Sequence, residues 1–281
     1  MSKGLLLFLS LSLIPAASYA ETLTITFGIY GSDRLSEIKR KFQPLIQSLE
    51  HSLTLSTNKS IDIKMVFYNS YEDGINAAAR GEIDFSRLGP VSYVLAKKKN
   101  PGISILATET YLGKKTFNGV ICVRSKSPIN NLQDLKGKSF AFGNKRSTSG
   151  RYLAQQFLYN NDITASYFSK YGYFLKHDEV AIAVAQGSYD AGAFKAGILK
   201  NQFMAKILRV IATFPVITHP WVAREDLPAE LRELIQQALL SIKDKSIFKG
   251  LKRDGFALSE DSEYDDIRQA VEKNHLFLNG N

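Results

Sequence analysis

The sequence is poor in cysteine and histidine and lacks the short motifs of common enzymes. Its 281 residues include one cysteine, Cys122, and four histidines. A single cysteine excludes an internal disulfide, so packing must supply the stability of the fold. The histidines have no metal-ligand spacing, and neither a Gly-x-Ser-x-Gly elbow nor a His-Glu-x-x-His helix is present. These absences argue against an enzyme, a metal site and a cofactor site.

Long hydrophobic runs are absent except at the N terminus. Lys3 precedes an apolar segment over residues 5–14, and Ser18-Tyr19-Ala20 places small residues at the two positions that signal peptidase reads. This segment is shorter than the roughly 20 residues that cross a bilayer as a helix. A buried N-terminal helix is the alternative interpretation. The pattern favours a signal peptide over residues 1–20, cleaved after Ala20, and therefore an exported, periplasmic mature protein.

Negative charge is in short supply. The chain carries 36 Lys and Arg residues against 27 Asp and Glu residues, a formal net charge of +9. Such an excess suits nucleic acid, a membrane surface or an anionic solute as the partner. Export argues against nucleic acid. The charge balance therefore favours an exported protein that binds a small anion.

Strand-like and helix-like segments alternate along the mature chain. Apolar residues alternate with polar ones over 23–29 and 61–67, and they recur at helical spacing over 38–53. Further strands are predicted over 83–86, 103–107, 119–123, 139–142, 190–194, 207–212 and 221–223, and further helices over 71–80, 90–99, 148–159, 180–186, 229–242 and 264–273. This succession predicts an α/β fold with mostly parallel sheets covered by helices.

The segments form two α/β units without an intervening linker. We expect the chain to cross to the second unit near residue 117 and to return near residue 213. Lobe 1 would then comprise residues 21–116 and 213–281, and lobe 2 residues 117–212. A ligand is expected in the cleft between the lobes, at carboxyl ends of strands and N termini of helices.

Three adjacent hydroxyls, Ser147-Thr148-Ser149, are the sharpest local feature. They follow the strand predicted over 139–142 and a turn, and they stand at the start of the next predicted helix. Unpaired amides at a helix start, together with three hydroxyls, can donate several hydrogen bonds to a tetrahedral oxyanion. Ordinary N-capping would need only one of these hydroxyls. Spacing alone leaves both interpretations open.

Other polar residues stand at predicted helix and strand ends. His177 begins a predicted helix and could donate to an anion through a ring nitrogen, or simply cap its own helix. Tyr71 begins the helix after the second strand and could donate its phenol, although packing on the lobe surface is the commoner role of a tyrosine. Arg87, Arg146 and Lys195 are candidate charge partners for an anion, with a solvated surface position as the alternative.

An ordered set of short segments carries a family resemblance. The set comprises Gly81-Glu82-Ile83-Asp84-Phe85, Gly89-Pro90-Val91-Ser92-Tyr93-Val94, Ser127-Pro128-Ile129, Asp134-Leu135-Lys136-Gly137-Lys138-Ser139-Phe140-Ala141-Phe142-Gly143, Ser147-Thr148-Ser149-Gly150, His177-Asp178 and Asp190-Ala191-Gly192-Ala193. No single segment is specific, but their order and spacing resemble the phosphate/phosphite/phosphonate substrate-binding proteins of ABC transporters. The likeness runs from about residue 24 to about residue 276.

The resemblance implies a two-lobed type II periplasmic binding fold, in which each lobe is a mostly parallel sheet flanked by helices. It also implies that Ser147, Thr148 and Ser149 hold the phosphorus oxygens of the ligand. His177 and Tyr71 match the anion-binding histidine and the first-lobe tyrosine of the family.

Three departures from the family pattern bear on the ligand. Phe117 stands where the family has a second ligand-binding tyrosine, and phenylalanine cannot donate a hydrogen bond. Gly197 and His219 stand where members that bind an aminoalkyl phosphonate have two carboxylates. Arg87 replaces an uncharged residue and joins the candidate ligand-binding residues. We therefore expect a ligand anion without an amine.

The function that the resemblance implies is capture of phosphate, phosphite or a small phosphonate for the membrane permease of an ABC transporter. A periplasmic sensor subunit that signals to a membrane kinase or cyclase would use the same binding chemistry and stays open as the alternative. We expect a monomer that binds no nucleic acid, holds no metal or cofactor and catalyses no reaction.

Overall fold

The computed structural model describes residues 21–31 and 34–279. The predicted signal peptide, residues 1–20, lies outside the described residues. Within the described ranges, no helix is long and apolar enough to cross a membrane.

Strands and helices alternate through most of the described chain, as the sequence predicts. The strands are β1 (Thr22–Tyr30), β2 (Ser60–Tyr68), β3 (Phe85–Arg87), β4 (Ser104–Thr110), β5 (Thr116–Arg124), β6 (Ser139–Phe142), β7 (Lys170–Tyr173), β8 (Ala191–Lys195), β9 (Leu208–Ile217), β10 (Pro220–Ala223) and β11 (Gly255–Ala257). The α-helices are α1 (Leu35–Thr57), α2 (Tyr71–Ala79), α3 (Pro90–Lys99), α4 (Leu153–Tyr159), α5 (His177–Ala185), α6 (Gln202–Ile207), α7 (Ala229–Ser241), α8 (Asp265–Glu272) and α9 (Asn274–Asn279).

Two sheets organise these elements into two lobes. The first has the strand order β11-β4-β10-β3-β1-β2, and the second has the order β7-β6-β8-β5-β9. In the first sheet β1 to β4 run in one direction, opposite to β10 and β11. In the second sheet only β5 opposes the other strands. The expected two-lobed α/β fold with mostly parallel strands is confirmed.

Helix α1 shows how hydrophobic periodicity builds the first lobe. Its buried residues recur at helical spacing along one face: Ile38, Phe42, Leu45, Ile46, Leu49 and Leu53. This face packs in one cluster with Phe27 of β1 and Trp221 of β10, whose ring centroids lie 4.7 Å apart. The helix ends at Asn58, a residue in the left-handed conformation with φ of 55°. The predicted amphipathic helix is confirmed.

Cys122 lies in the core of the second lobe. It belongs to β5 and is fully buried in a cluster with Val120 and Phe194. Burial raises the pKa of the thiol to about 12. The side chain is therefore a protonated, unreactive apolar group.

The chain passes between the lobes at the ends of β5 and β9. These two strands pair along their whole length, from Thr116 opposite Ile217 to Arg124 opposite Leu208. Residues 213–217, which the sequence interpretation placed in the first lobe, therefore continue a strand of the second sheet. Helix α9 also packs on the second lobe, where the ring centroid of Phe277 lies 5.7 Å from that of Phe142.

The lobes face each other through the ends of their strands. In the first sheet the carboxyl ends of β1, β3 and β4 and the start of β10 lie on the side that faces the second lobe. In the second sheet the carboxyl ends of β6, β7 and β8 and the start of β5 lie on the side that faces the first lobe. Contacts between the lobes include a hydrogen bond from the backbone N–H of Val91 to Oγ1 of Thr148, 3.1 Å long. The cleft between these two sets of strand ends is where ligands of such open α/β sheets are expected.

Candidate anion-binding site

The three adjacent hydroxyls, here called the hydroxyl triplet (Ser147–Ser149), lie in the loop that follows β6. Ser147 is the N-cap residue, and its Oγ accepts a hydrogen bond from the backbone N–H of Gly150 at 3.1 Å. The chain then makes one π-helical turn, Thr148–Tyr152, before α4 begins. All three hydroxyl residues are buried. Ser147 alone supplies the cap, so capping does not account for the other two hydroxyls.

Thr148 joins the two lobes. Its Oγ1 accepts from the backbone N–H of Val91, near the N terminus of α3. Because an accepted hydrogen bond uses only a lone pair, the hydroxyl proton of Thr148 is still available to an anion. The start of α3 therefore meets the start of the π-helical turn at one hydroxyl. Both helix ends favour negative charge.

Gly150 holds the hydroxyl triplet close to the rest of the site. Its carbonyl accepts from the backbone N–H of Gly143 at 2.7 Å. A Cβ at Gly150 would lie 2.9 Å from Cα of Gly143 and 3.1 Å from Cε1 of His177. Only glycine fits where Gly150 approaches Gly143 and His177 so closely. This close approach places the loop after β6 beside the start of α5.

His177 is the first residue of α5, as predicted for a helix start. Its Nδ1 is buried and forms no hydrogen bond to any described residue. Burial, and after it the positive charge of Lys195, lowers the pKa of His177 to about 3. The ring is therefore neutral near pH 7. It carries one N–H donor that can serve an anion beside the hydroxyl triplet.

Tyr71 is the first residue of α2 and lines the pocket between the lobes from the side of the first lobe. Its ring packs on that of Tyr30, with centroids 4.7 Å apart. Burial and the neighbouring Tyr30 raise the pKa of Tyr71 above its usual value, while Arg87 opposes that shift. The phenol stays protonated at all ordinary pH values and remains a donor.

Tyr30 is a site residue that sequence reasoning missed. Its hydroxyl accepts from the backbone N–H of Gly89 and donates to Oγ of Ser92, each at 2.7 Å. It thereby fixes the start of α3 next to Thr148. In the sequence Tyr30 is only the residue that follows the alternating strand predicted over 23–29. Its position at the carboxyl end of a parallel strand is the one signal that could have identified it.

Arg87 ends β3 but forms an ion pair with a residue that the sequence did not single out. Its Nε and Nη2 donate to the two carboxylate oxygens of Glu109. Glu109 is fully buried and also accepts from Nε1 of Trp221 at 3.2 Å and from Nε of Arg253 at 2.9 Å. Burial would raise the pKa of Glu109, but Arg87, His219 and Arg253 together lower it to about 2. Two guanidinium groups thus share one carboxylate.

A pocket with a volume of about 280 Å³ opens between the lobes beside the site. Tyr71 and Glu72 line it from the first lobe, and Asn144 and Arg146 line it from the second. Nη2 of Arg146 and Oε2 of Glu72 form an ion pair across it at 2.8 Å. Arg146, a candidate charge partner, is therefore engaged at the mouth of the cleft. Both side chains are more than a third exposed, so the pair contributes at most about 1 kcal/mol.

The structure brings most of the predicted residues together. The hydroxyl triplet and His177 meet at Gly150, and Thr148 contacts the segment that Tyr30 and Tyr71 support. Arg87 stands further along the same edge of the first sheet, bound to Glu109. Their roles as ligand contacts stay predictions.

Comparison with known proteins gives matches along most of the chain. The sequence profile of a family described as "ABC transporter, phosphonate, periplasmic substrate-binding protein" matches residues 27–264. The phosphonates-binding periplasmic protein of Escherichia coli is 28% identical over 276 residues, covering 93% of this chain and 80% of that protein. The probable ABC transporter phosphite binding protein PhnD1 of Prochlorococcus marinus is 25% identical over 245 residues, covering 79% of this chain and 82% of that protein.

A solved structure supports the fold. PhnD1 from Prochlorococcus marinus in complex with methylphosphonate superposes with a TM-score of 0.75 at 21% sequence identity. The match covers 90% of this chain and 98% of that chain. At this level of identity the likeness shows the shared two-lobed architecture.

Proposed function

The chain belongs to the phosphonate-binding family of periplasmic substrate-binding proteins of ABC transporters, and from this premise we propose that it captures a small phosphorus oxyanion or alkylphosphonate in the cleft between its lobes. Closure of the lobes around the anion then presents the loaded protein to a membrane permease. We further propose that the chain acts as a monomer, binds no nucleic acid and is exported, with its signal peptide cleaved after Ala20.

One observation carries the proposal: the buried hydroxyl triplet and the neutral His177 lie together at the cleft, at the start of two helices. These groups offer hydrogen-bond donors, and no described carboxylate hydrogen-bonds to the triplet. A tetrahedral anion with three terminal oxygens requires many donors, which the triplet, the ring N–H and the phenol of Tyr71 supply from two sides. Binding across the cleft would hold the lobes together.

Two observations bear on the other function classes. A hydrolytic serine needs a base within hydrogen-bond reach, and the buried Nδ1 of His177 pairs with no described hydroxyl. We therefore propose binding without catalysis. A sensor subunit could share this chemistry, but the family description and the name of the Prochlorococcus marinus relative both specify an ABC transporter, which favours uptake.

Calorimetric titration of the mature protein with phosphate, phosphite, methylphosphonate and sulfate tests the proposal. We expect binding of at least one phosphorus anion. Thr148→Val, which keeps the shape but removes the hydroxyl, should weaken that binding about tenfold or more, because a hydrogen bond to a charged group contributes roughly 1.5–3 kcal/mol.

Thr164→Val is the matched control, because the hydroxyl of Thr164 pairs with that of Ser166 near the start of β7, at the end of the second sheet that faces away from the cleft. The variant should bind the anion with the affinity of the wild type. Absence of binding to every phosphorus anion would refute the proposed function. Equal affinity of Thr148→Val and wild type would refute the site.

A further inference from the structure

Beyond the hydroxyl triplet, the cleft edge carries a group of basic side chains, here called the basic cluster (Arg87, Lys195 and Arg253). Arg87 ends β3, and Arg253 lies just before β11, which pairs with β4. Lys195 ends β8, the strand that pairs directly with β6 and with β5. The guanidinium of Arg253 lies 5.5 Å from the ring centroid of Phe117, at the start of β5. The cluster therefore spans both lobes next to the proposed oxyanion site.

The only carboxylate that pairs with this cluster in the described chain is saturated. Oε1 of Glu109 accepts from Arg87 and Trp221, and Oε2 accepts from Arg87 and Arg253. The Glu109 side chain has no exposed surface. It cannot also receive a ligand ammonium group, so this end of the cleft keeps an excess of positive charge.

Lys195 is the last residue of β8 and pairs with Gly119 of β5 at the cleft. It is exposed, and it forms no ion pair with a described carboxylate. Although the residue is exposed, the protein around its amine partly desolvates it and lowers the pKa of Lys195; the nearby Asp178 raises this pKa, and Arg253 and Arg87 lower it further. The amine therefore interacts electrostatically with both guanidinium groups as well as with His177.

His219 supplies an unpaired polar atom at the same place. Its Nδ1 is buried and hydrogen-bonds to no described residue, and it lies 3.7 Å from Oε2 of Glu109. Burial and Arg87 lower the pKa of His219 well below its usual value, so the ring is a neutral donor. Open space is available in the turn that follows Lys195, because a Cβ at Gly197 would meet nothing within 4 Å.

We propose that Lys195, Arg253 and His219 form a second anion subsite, which binds a carboxylate carried on the alkyl chain of a phosphonate. The inference rests on the proposed function and names its substrate class as phosphonocarboxylic acids. Neighbouring strands in a sheet are about 4.8 Å apart, so the end of β8 stands about one strand from the end of β6. A chain of two or three carbons spans that interval.

Calorimetry with a matched pair of ligands tests the second subsite. The ligands are 3-phosphonopropionate and its neutral amide, which differ in charge but hardly in shape, and propylphosphonate serves as the reference. We expect the wild type to bind the carboxylate about tenfold more tightly than the amide, because a hydrogen bond to a charged group contributes more binding free energy than one to a neutral group. In Lys195→Gln the ratio of the two affinities should fall towards one.

Lys170→Gln is the control variant, since it makes the same charge change at the start of β7, at the end of the second sheet that faces away from the cleft. It should keep the wild-type ratio. Equal binding of carboxylate and amide by the wild type, or an unchanged ratio in Lys195→Gln, would overturn the inference. If propylphosphonate binds while the carboxylate adds nothing, only the second subsite is refuted; if no phosphonate binds, the proposed function fails as well.

Discussion

Glu109 is expected to be a major contributor to the stability of the first lobe, and Glu109→Gln tests this directly. The substitution keeps the size of the side chain but removes the charge that two buried guanidinium groups share. Arg87 and Arg253 are only 18% and 13% exposed, so water replaces only part of the lost interaction with the carboxylate. One end of the glutamine amide would also present N–H groups to arginine or tryptophan donors.

The pKa shift of Glu109 sets the expected magnitude. The folded protein lowers this pKa from 4.5 to about 2, and each pKa unit corresponds to about 1.36 kcal/mol. The pair therefore stabilises the fold by about 3 kcal/mol at neutral pH. Breaking a buried ion pair costs about 3–5 kcal/mol in other proteins, which agrees. Because the folded pKa is lowered, the stabilisation is complete above pH 4.5 and is lost as the pH falls towards 2.

Urea unfolding of wild type and Glu109→Gln at pH 7 and at pH 3 measures the effect. Far-UV circular dichroism is the main probe, and the fluorescence of Trp221, the single tryptophan, tests whether unfolding is two-state. The difference should be about 3 kcal/mol at pH 7 and smaller at pH 3. Glu72→Gln breaks a half-exposed pair instead and should cost no more than about 1 kcal/mol. Equal stability of Glu109→Gln and wild type at pH 7 would refute the reasoning.

Three further predictions concern pH, packing and ligand choice. The fold lowers the pKa of His177 from 6.5 to about 3, so between pH 6.5 and pH 5 only the unfolded state binds a proton at this ring. The wild type should therefore lose roughly 1–2 kcal/mol of stability over this range, and His177→Asn should flatten the pH–stability curve there. An unchanged slope in the variant would contradict the assignment. Gly150→Ala should cost about 1–3 kcal/mol in urea unfolding and weaken anion binding, because its Cβ clashes with Gly143, whereas Gly197→Ala meets no atom and should change stability by less than about 0.5 kcal/mol. In low-salt titrations 2-aminoethylphosphonate should bind more weakly than ethylphosphonate, because Gly197 and His219 offer no carboxylate to the ammonium; tighter binding of the aminated ligand would show that a carboxylate reaches it.

Local patterns in the sequence predict most of the elements because they report burial within a single helix or strand. The apolar spacing of α1 and the strand–loop–helix order around the hydroxyl triplet are both local, and both are confirmed. Element bounds are less well predicted. The helix expected over 148–159 begins instead with a π-helical turn, because the loop must bring Gly150 against Gly143.

The interactions that the sequence does not reveal are those between distant segments. Glu109 and Arg253 are 144 positions apart, and Glu109 lies beyond the strand predicted over 103–107. Strand β7 also escaped the sequence reading, because the four residues of Lys170–Tyr173 are too few to show a period. Periodicity says which face is buried, but partner choice across a sheet depends on tertiary packing.

The burial of Cys122 makes this protein well suited to site-specific fluorescent labelling. Its fully buried thiol, with a pKa raised to about 12, will not react with maleimides under native conditions. A cysteine introduced on the surface would therefore be the sole reactive thiol of the chain. Leu175 is 68% exposed and lines the pocket between the lobes. An environment-sensitive dye on Leu175→Cys would report the proposed closure of the lobes around a ligand and turn the protein into a reagentless sensor of the anion that we propose it binds.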